Sequence, residues 1–229
     1  MTELSVSARP HRQSLKQEAA NYIRDLIFSG TLHAGERIDQ DGIADALDVS
    51  RLPIREALIT LEAEGMVTNV ARRGAFVARL GQEDILDHFR MYGLLNGIAA
   101  QRIAEHGAPE TVAQLADISQ QMRDTDDPNQ HDQLNFAFHR VINRAGGSRR
   151  LISVLRILSN NMPSHFFESN AEWEFREQTF DEHDEIVERI RTGDGPGAAG
   201  ALAQHFVHTG EQAVRTLESV GFWREADAD

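Results

Sequence analysis

From residue 82 to residue 220 apolar side chains recur at intervals of three and four, and no stretch alternates with the period of two that a half-buried strand requires. Six periodic segments, 82–106, 109–125, 132–145, 149–167, 173–192 and 196–220, are separated by short clusters of Gly, Pro and Asp. Amphipathic helices with such short connections bury their apolar stripes only by packing on one another. The spacing therefore predicts an antiparallel all-α bundle over residues 80–222, in which any ligand site is built from inward side chains on facing helices.

The chain before residue 80 reads differently. Ala19, Tyr22, Ile23, Leu26 and Ile27 mark a helix over 15–29 that stops at Gly30. Residues 41–47 read as a short helix. Ser50 is an N-cap residue type, Pro53 falls in the first turn behind it, and Ile54, Leu58 and Leu61 follow at i, i+4 and i+7. Two helices thus meet across a turn at residues 48–50, and Arg51 and Arg55 fall away from the apolar side of the second. A cationic helix start on an apolar back suits insertion into a DNA groove, where arginine bonds guanine bidentately. Two short apolar runs, 66–70 and 75–77, flank the turn 71–74, whose Arg72, Arg73 and Gly74 give a hairpin with a basic tip suited to phosphate or minor-groove contact. The expected fold is mainly α: a winged helix-turn-helix at 15–79, of three helices plus a two-stranded wing, then the antiparallel all-α helical bundle, with tails at 1–14 and 223–229.

At these residues the chain resembles the GntR family of bacterial transcription regulators. The blocks AGERI from Ala34, IADAL from Ile43, VSRLPIREAL from Val49, LEAEGMV from Leu61 and RRGAFV from Arg72 occur in the family's order and spacing. The resemblance implies that Arg37, Arg51 and Arg55 contact DNA, that Ser50 and Pro53 set the start of the recognition helix, and that Arg73 and Gly74, beside Arg72, lie in the wing. Leu52 stands where the family usually has threonine.

Charge is distributed in keeping with this division. The formal net charge is -13, but residues 1–80 hold 10 Lys and Arg against 11 Asp and Glu, whereas residues 81–229 hold 13 against 25. The acid lies downstream, so a local basic face at Arg51, Arg55, Arg72 and Arg73 is compatible with an acidic total. The absence of cysteine removes disulfides and thiolate metal sites. No apolar run approaches the roughly 20 residues that span a bilayer, and the N-terminal residues lack a signal-like apolar core, so the expected location is cytoplasmic.

Three of the ten histidines lie on apolar helix faces: His139 among Leu134, Phe138 and Ile142, His183 before Ile186 and Ile190, and His205 after Leu202. One inward histidine is ordinarily a satisfied core residue. Three on three helices point to a shared divalent metal held through neutral imidazole nitrogens. Asn135 stands one turn before His139 on the same side.

This half is similar to the FCD effector domain of the FadR subgroup, whose metal-binding members place an acid four residues before a histidine and one histidine on each of two later helices. The resemblance implies a divalent ion (Zn, Ni or Mn) at Asn135, His139, His183 and His205, with Asn135 in place of the usual acid, and a small carboxylate effector. Tyr92 and Asn96 occupy the positions of the family's Arg and Glu. With Arg156, Asn160 and His165 they are the candidate effector-pocket residues. His106 and His131 read as helix-end residues, His208 as solvent-facing, and Glu182, Asp184, Glu185 and Glu188 as a solvated acidic face.

The expected function is a homodimeric regulator, a repressor by the family's usual mode, that binds a palindromic double-stranded operator and responds to a small organic acid. A metal-free acyl-CoA sensor on the same fold is the alternative. A metal hydrolase fused to a DNA reader would need a general base beside the metal, and neither Asp184 nor Glu185 is placed on the helix to serve, so no enzyme activity is expected.

Overall fold

The computed structural model describes residues 15–161 and 171–223. The tail 1–14, His165, the end of the fourth bundle segment and residues 224–229 lie outside the described residues. The chain forms two compact units that divide between Arg79 and Leu80.

In the first unit, α1 (Leu15–Phe28) buries Ala19, Ala20, Ile23 and Ile27 against α3 (Arg51–Ala63), which offers Ile54, Ala57, Leu58 and Leu61. Between them α2 (Gln40–Ala46) is capped by Asp39, whose carboxylate accepts the Asp41 N–H at 3.1 Å. Asp48 takes φ 51° in the turn from α2 to α3, a left-handed conformation that Asp tolerates better than most residues. Ser50 holds the N-cap position, but its hydroxyl makes no capping bond. β1 (Val67–Val70) pairs antiparallel with β2 (Gly74–Val77), Val67 facing Val77 and Val70 facing Gly74. The sequence did not announce one core element here. Arg24 is buried with its guanidinium on the Glu64 carboxylate at 2.8 and 3.1 Å and on Asn21 at 2.7 Å, which ties α1 to the end of α3.

The second unit is a helical bundle of α4 (Gln82–His106), α5 (Pro109–Asp124), α6 (Pro128–Gly146), α7 (Arg149–Asn160), α8 (Ala171–Arg191) and α9 (Gly195–Ser219). Side-chain caps set several starts: Asp127 accepts from Asn129 N–H at 3.0 Å, Ser148 from Leu151 N–H at 3.2 Å, and Asp194 from Gly197 N–H at 3.0 Å. The first of these begins α6 at Pro128 rather than at residue 132, because Asp127 caps it and proline is tolerated at the first helical position. Trp223, counted with the tail in the sequence, donates its indole N–H to the Leu80 carbonyl at 2.8 Å.

The helix α4 is central and packs on α6, α7, α8 and α9. Its closest neighbour is α9, through small residues. A Cβ on Gly93 would stand 2.8 Å from the Phe206 Cβ, and one on Gly97 would stand 2.9 Å from the Ala199 carbonyl oxygen. This approach puts the middle of α9, and with it His205, into the bundle interior.

Candidate functional site

His139 on α6, His183 on α8 and His205 on α9 converge in that interior, 6, 0 and 3% exposed. One nitrogen from each lies within 4.8 Å of the others, and His205 Nε2 is 3.2 Å from His139 Nε2. The rings of His139 and His205 stack with centroids 5.0 Å apart, and Phe138 stacks on His183 at 4.1 Å. Neither ring nitrogen of His183 has a hydrogen-bond partner, nor has His139 Nδ1. Burial, reinforced by His205, holds His139 well below its ordinary pKa; burial and then the neighbouring His205 and His139 do the same for His183. Both are therefore neutral at pH 7, the state in which imidazole offers a lone pair to a cation.

On α3 the side chains divide between core and solvent as the apolar spacing predicts. Pro53, Ile54 and Leu58 face inward, while Arg51, Leu52 and Arg55 are exposed, Leu52 at 64%. Arg51 pairs with Asp41 of α2. At the wing tip Arg72 adopts φ 62°, Gly74 adopts φ 106°, and Arg73 lies over the Phe76 ring at 5.7 Å. Arg37 donates from Nε to the Arg73 carbonyl at 3.1 Å, and its side chain lies against the face of Gly74 where a Cβ would project. Arg37 thus braces the wing turn.

Comparison with known proteins joins these two arrangements. Residues 15–77 match the model described as bacterial regulatory proteins, gntR family, and residues 87–208 match the FCD domain. The chain belongs to the GntR family and carries an FCD domain. An uncharacterized HTH-type transcriptional regulator of Mycobacterium tuberculosis, Rv0043c, is 34% identical over 152 residues, which are 66% of this chain and 62% of that protein. The gluconate operon transcriptional repressor of Bacillus licheniformis is 26% identical over 203 residues, covering 85% of this chain and 83% of that one. Among solved structures, Escherichia coli McbR/YncC has the same fold, with a TM-score of 0.62 and 23% identity over 91% of this chain and 99% of that chain. The relatives and the matching families are regulators rather than enzymes.

The FCD bundle of this GntR-family chain fits a divalent ion. Two nitrogens on one tetrahedral zinc stand about 3.3 Å apart, given Zn–N bonds of about 2.0–2.1 Å, close to the 3.2 Å between His139 and His205. The unpartnered nitrogens of His183 each cost about 1–3 kcal/mol while they lack a partner, a cost that a ligand bond removes from one of them. The buried Asn135 Oδ1, one turn before His139 on α6, is also without a donor.

The other sequence candidates separate. Tyr92 packs edge-on against Phe206 at 4.8 Å, and Phe206 in turn meets His139 at 4.8 Å. Tyr92 thus reaches His139 through Phe206. Asn96 is fully buried and donates from Nδ2 to the Tyr92 carbonyl at 2.8 Å, and its Oδ1 has no donor. Arg156 and Asn160 lie on the exposed side of α7, because Leu151 and Leu155 take its inward stripe.

Three residues expected at a helix end or in solvent are instead packed or paired. His131 is buried against Phe180, with ring centroids 5.6 Å apart, because α6 starts one turn earlier than its periodicity suggests. Glu182 bonds His205 Nδ1 at 2.7 Å, and His208 reaches the other oxygen of the same carboxylate. The clue available in the sequence was the i, i+3 pairing of His205 with His208 on one face of α9, opposite an acid adjacent to His183. An open pocket lined by Ala104, Pro109, Val112, Ile190 and Gly193 includes none of the histidines, and the nearby Arg191 is taken up by Glu188. Among the described residues, His139, His183 and His205 are the group that could hold a metal ion.

Proposed function

We propose that this GntR-family chain is a DNA-binding transcription regulator, acting as a repressor, whose FCD bundle holds a divalent metal that binds a small organic-acid effector. The observation that carries the sensor half is the buried, neutral histidine cluster with unpartnered nitrogens. His139, His183 and His205 hold the ion, with the Asn135 oxygen beside them. When bound, the ion supplies a Lewis-acid point for a carboxylate. Tyr92 and Asn96 shape the polar wall of the pocket. That a relative is named a gluconate operon repressor supports an organic acid as the effector class.

The reader half rests on exposed Arg51 and Arg55 at the start of α3, with Ser50, whose hydroxyl makes no capping bond, and on Arg72 and Arg73 at a wing tip shaped by Gly74 and braced by Arg37. Pro53, buried at the third helical position, fixes the helix start. One reader covers a half-site, so two copies reading a palindrome give the affinity that regulation needs. Met91, Leu94 and Ile98, 50, 63 and 40% exposed at spacing three and four on α4, offer an apolar stripe for a second copy.

Regulation then works by linkage: an effector that binds two bundle arrangements unequally shifts operator affinity, and a coupling of about 1–3 kcal/mol suffices. Selection from a random duplex library with the full chain tests the reader. A palindromic site is expected, and Arg51→Ala and Arg55→Ala lose it. Recovery of no preferred sequence by the wild-type chain refutes the reading. A thermal-shift screen of small carboxylates with and without chelator tests the sensor, with metal-dependent stabilisation expected and chelator-independent hits alone counting against it.

A further inference from the structure

A divalent ion on His139, His183, His205 and Asn135 would have four neutral ligands. The ion's charge would then lie in a buried site with no anion in direct contact, an arrangement that costs binding energy unless a carboxylate stands close by. Glu182 is such a carboxylate. It sits on α8 beside His183, and its side chain is 17% exposed although it belongs to a strongly acidic helix. One oxygen meets His205 Nδ1 at 2.7 Å. The other accepts from Gln178 Nε2 at 2.8 Å and from His208 Nδ1. The far nitrogen of His208 lies 2.8 Å from Gln204 Nε2, and its Nδ1 faces the carboxylate. The next acid on the helix, Asp184, is turned elsewhere, accepting from Ser119 at 2.8 Å and pairing with Arg123.

We infer that Glu182, clamped by Gln178 and His208, is the positioning residue of the metal site: it keeps the His205 proton on Nδ1, aims the Nε2 lone pair at the ion, and supplies the negative charge that the neutral ligand set lacks. The inference rests on the reading of the histidine cluster as a metal site. Carboxylate–histidine–metal arrangements of this kind fix tautomer and ring orientation and raise ligand basicity, and their removal ordinarily costs tenfold to a hundredfold in metal affinity. His208, whose side chain is 31% exposed, has on this account a structural task rather than a solvent-facing one.

The test uses the full chain and the metal alone. Zinc affinity is measured by competition with a chromophoric chelator, and the Co2+ visible spectrum reports ligand geometry. Glu182→Gln keeps the acceptor and the shape but deletes the charge, so zinc affinity is expected to fall about tenfold to a hundredfold, with a changed Co2+ spectrum. His208→Ala, which loosens the clamp only, gives a smaller loss. Equal zinc affinity for wild type and Glu182→Gln overturns the role of Glu182 while leaving the metal site intact; failure of the wild-type chain to bind zinc, nickel or manganese overturns the metal reading itself. A measurement without any variant stands beside these. Long-range 1H–15N correlation on the chelator-treated wild-type chain is expected to show His205 protonated at Nδ1, and a proton on Nε2 overturns the inference.

Discussion

Lowering the pH should destabilise the metal-free bundle steeply, and the size of the effect follows from three side chains. His139 and His183 are held well below their ordinary pKa of 6.5, in each case chiefly by burial, and burial lowers His88 to about 4. In the unfolded chain each returns to about 6.5. Between the folded and unfolded values the unfolded state binds the extra proton, so stability is fully present above pH 6.5 and is lost as the pH falls. For a group still neutral in the fold at pH 5.5, the loss relative to pH 7.5 is about 1.4 kcal/mol, or about 4 kcal/mol for the three together. That is a large fraction of the roughly 5–15 kcal/mol that a domain has to lose. Urea unfolding of the chelator-treated chain, followed by far-UV circular dichroism at pH 7.5 and 5.5, measures it. Replacing His183 by leucine, which retains an apolar partner for Phe138, should remove about a third of the pH effect whatever it does to stability at pH 7.5. A midpoint independent of pH over this range, or a full effect retained in His183→Leu, would refute the assignment of buried neutral imidazoles.

Other outcomes test the reader and the packing. Arg55→Ala should weaken operator binding by about 1–3 kcal/mol at the base it reads, whereas Arg72→Ala should weaken all duplexes alike and reduce the salt slope by about one, both measured by fluorescence anisotropy across salt. Glu64→Gln deprives the buried Arg24 of its counter-charge and should cost up to about 3–5 kcal/mol of first-unit stability in urea, with DNA binding lost in parallel as α1 loosens from α3. Gly97→Ala gains up to about 1 kcal/mol of helix propensity, but its Cβ meets the Ala199 backbone at 2.9 Å. Overpacking of about 1–3 kcal/mol should leave the bundle less stable and its zinc affinity lower.

The winged reader was legible in the sequence because every level agreed: Ile54, Leu58 and Leu61 set the inward face of α3, and glycine and arginine marked the wing turn. The three histidines were legible for a similar reason, each lying in phase with apolar neighbours. What the sequence concealed were polar residues whose partners lie on other helices. Helical phase says which way Glu182 points but not that α9 brings His205 and His208 to meet it. Burial of the Arg24 guanidinium depends on Glu64, 40 positions away, which no local pattern announces. Asp127 and Pro128 did carry a readable cap signal, and the apolar periodicity, which begins later, obscured it. Arg156 and Asn160 were drawn toward the pocket by their helix, although Leu151 and Leu155 already filled its inward stripe.

A sensor role for the bundle requires that it hold a metal. Equilibrium dialysis of the full chain against zinc, nickel and manganese in turn, followed by elemental analysis, should find about one ion per chain for at least one of them, and none for His183→Ala or His205→Ala. A wild-type chain that retains no ion, or variants that retain as much as the wild type, would contradict it.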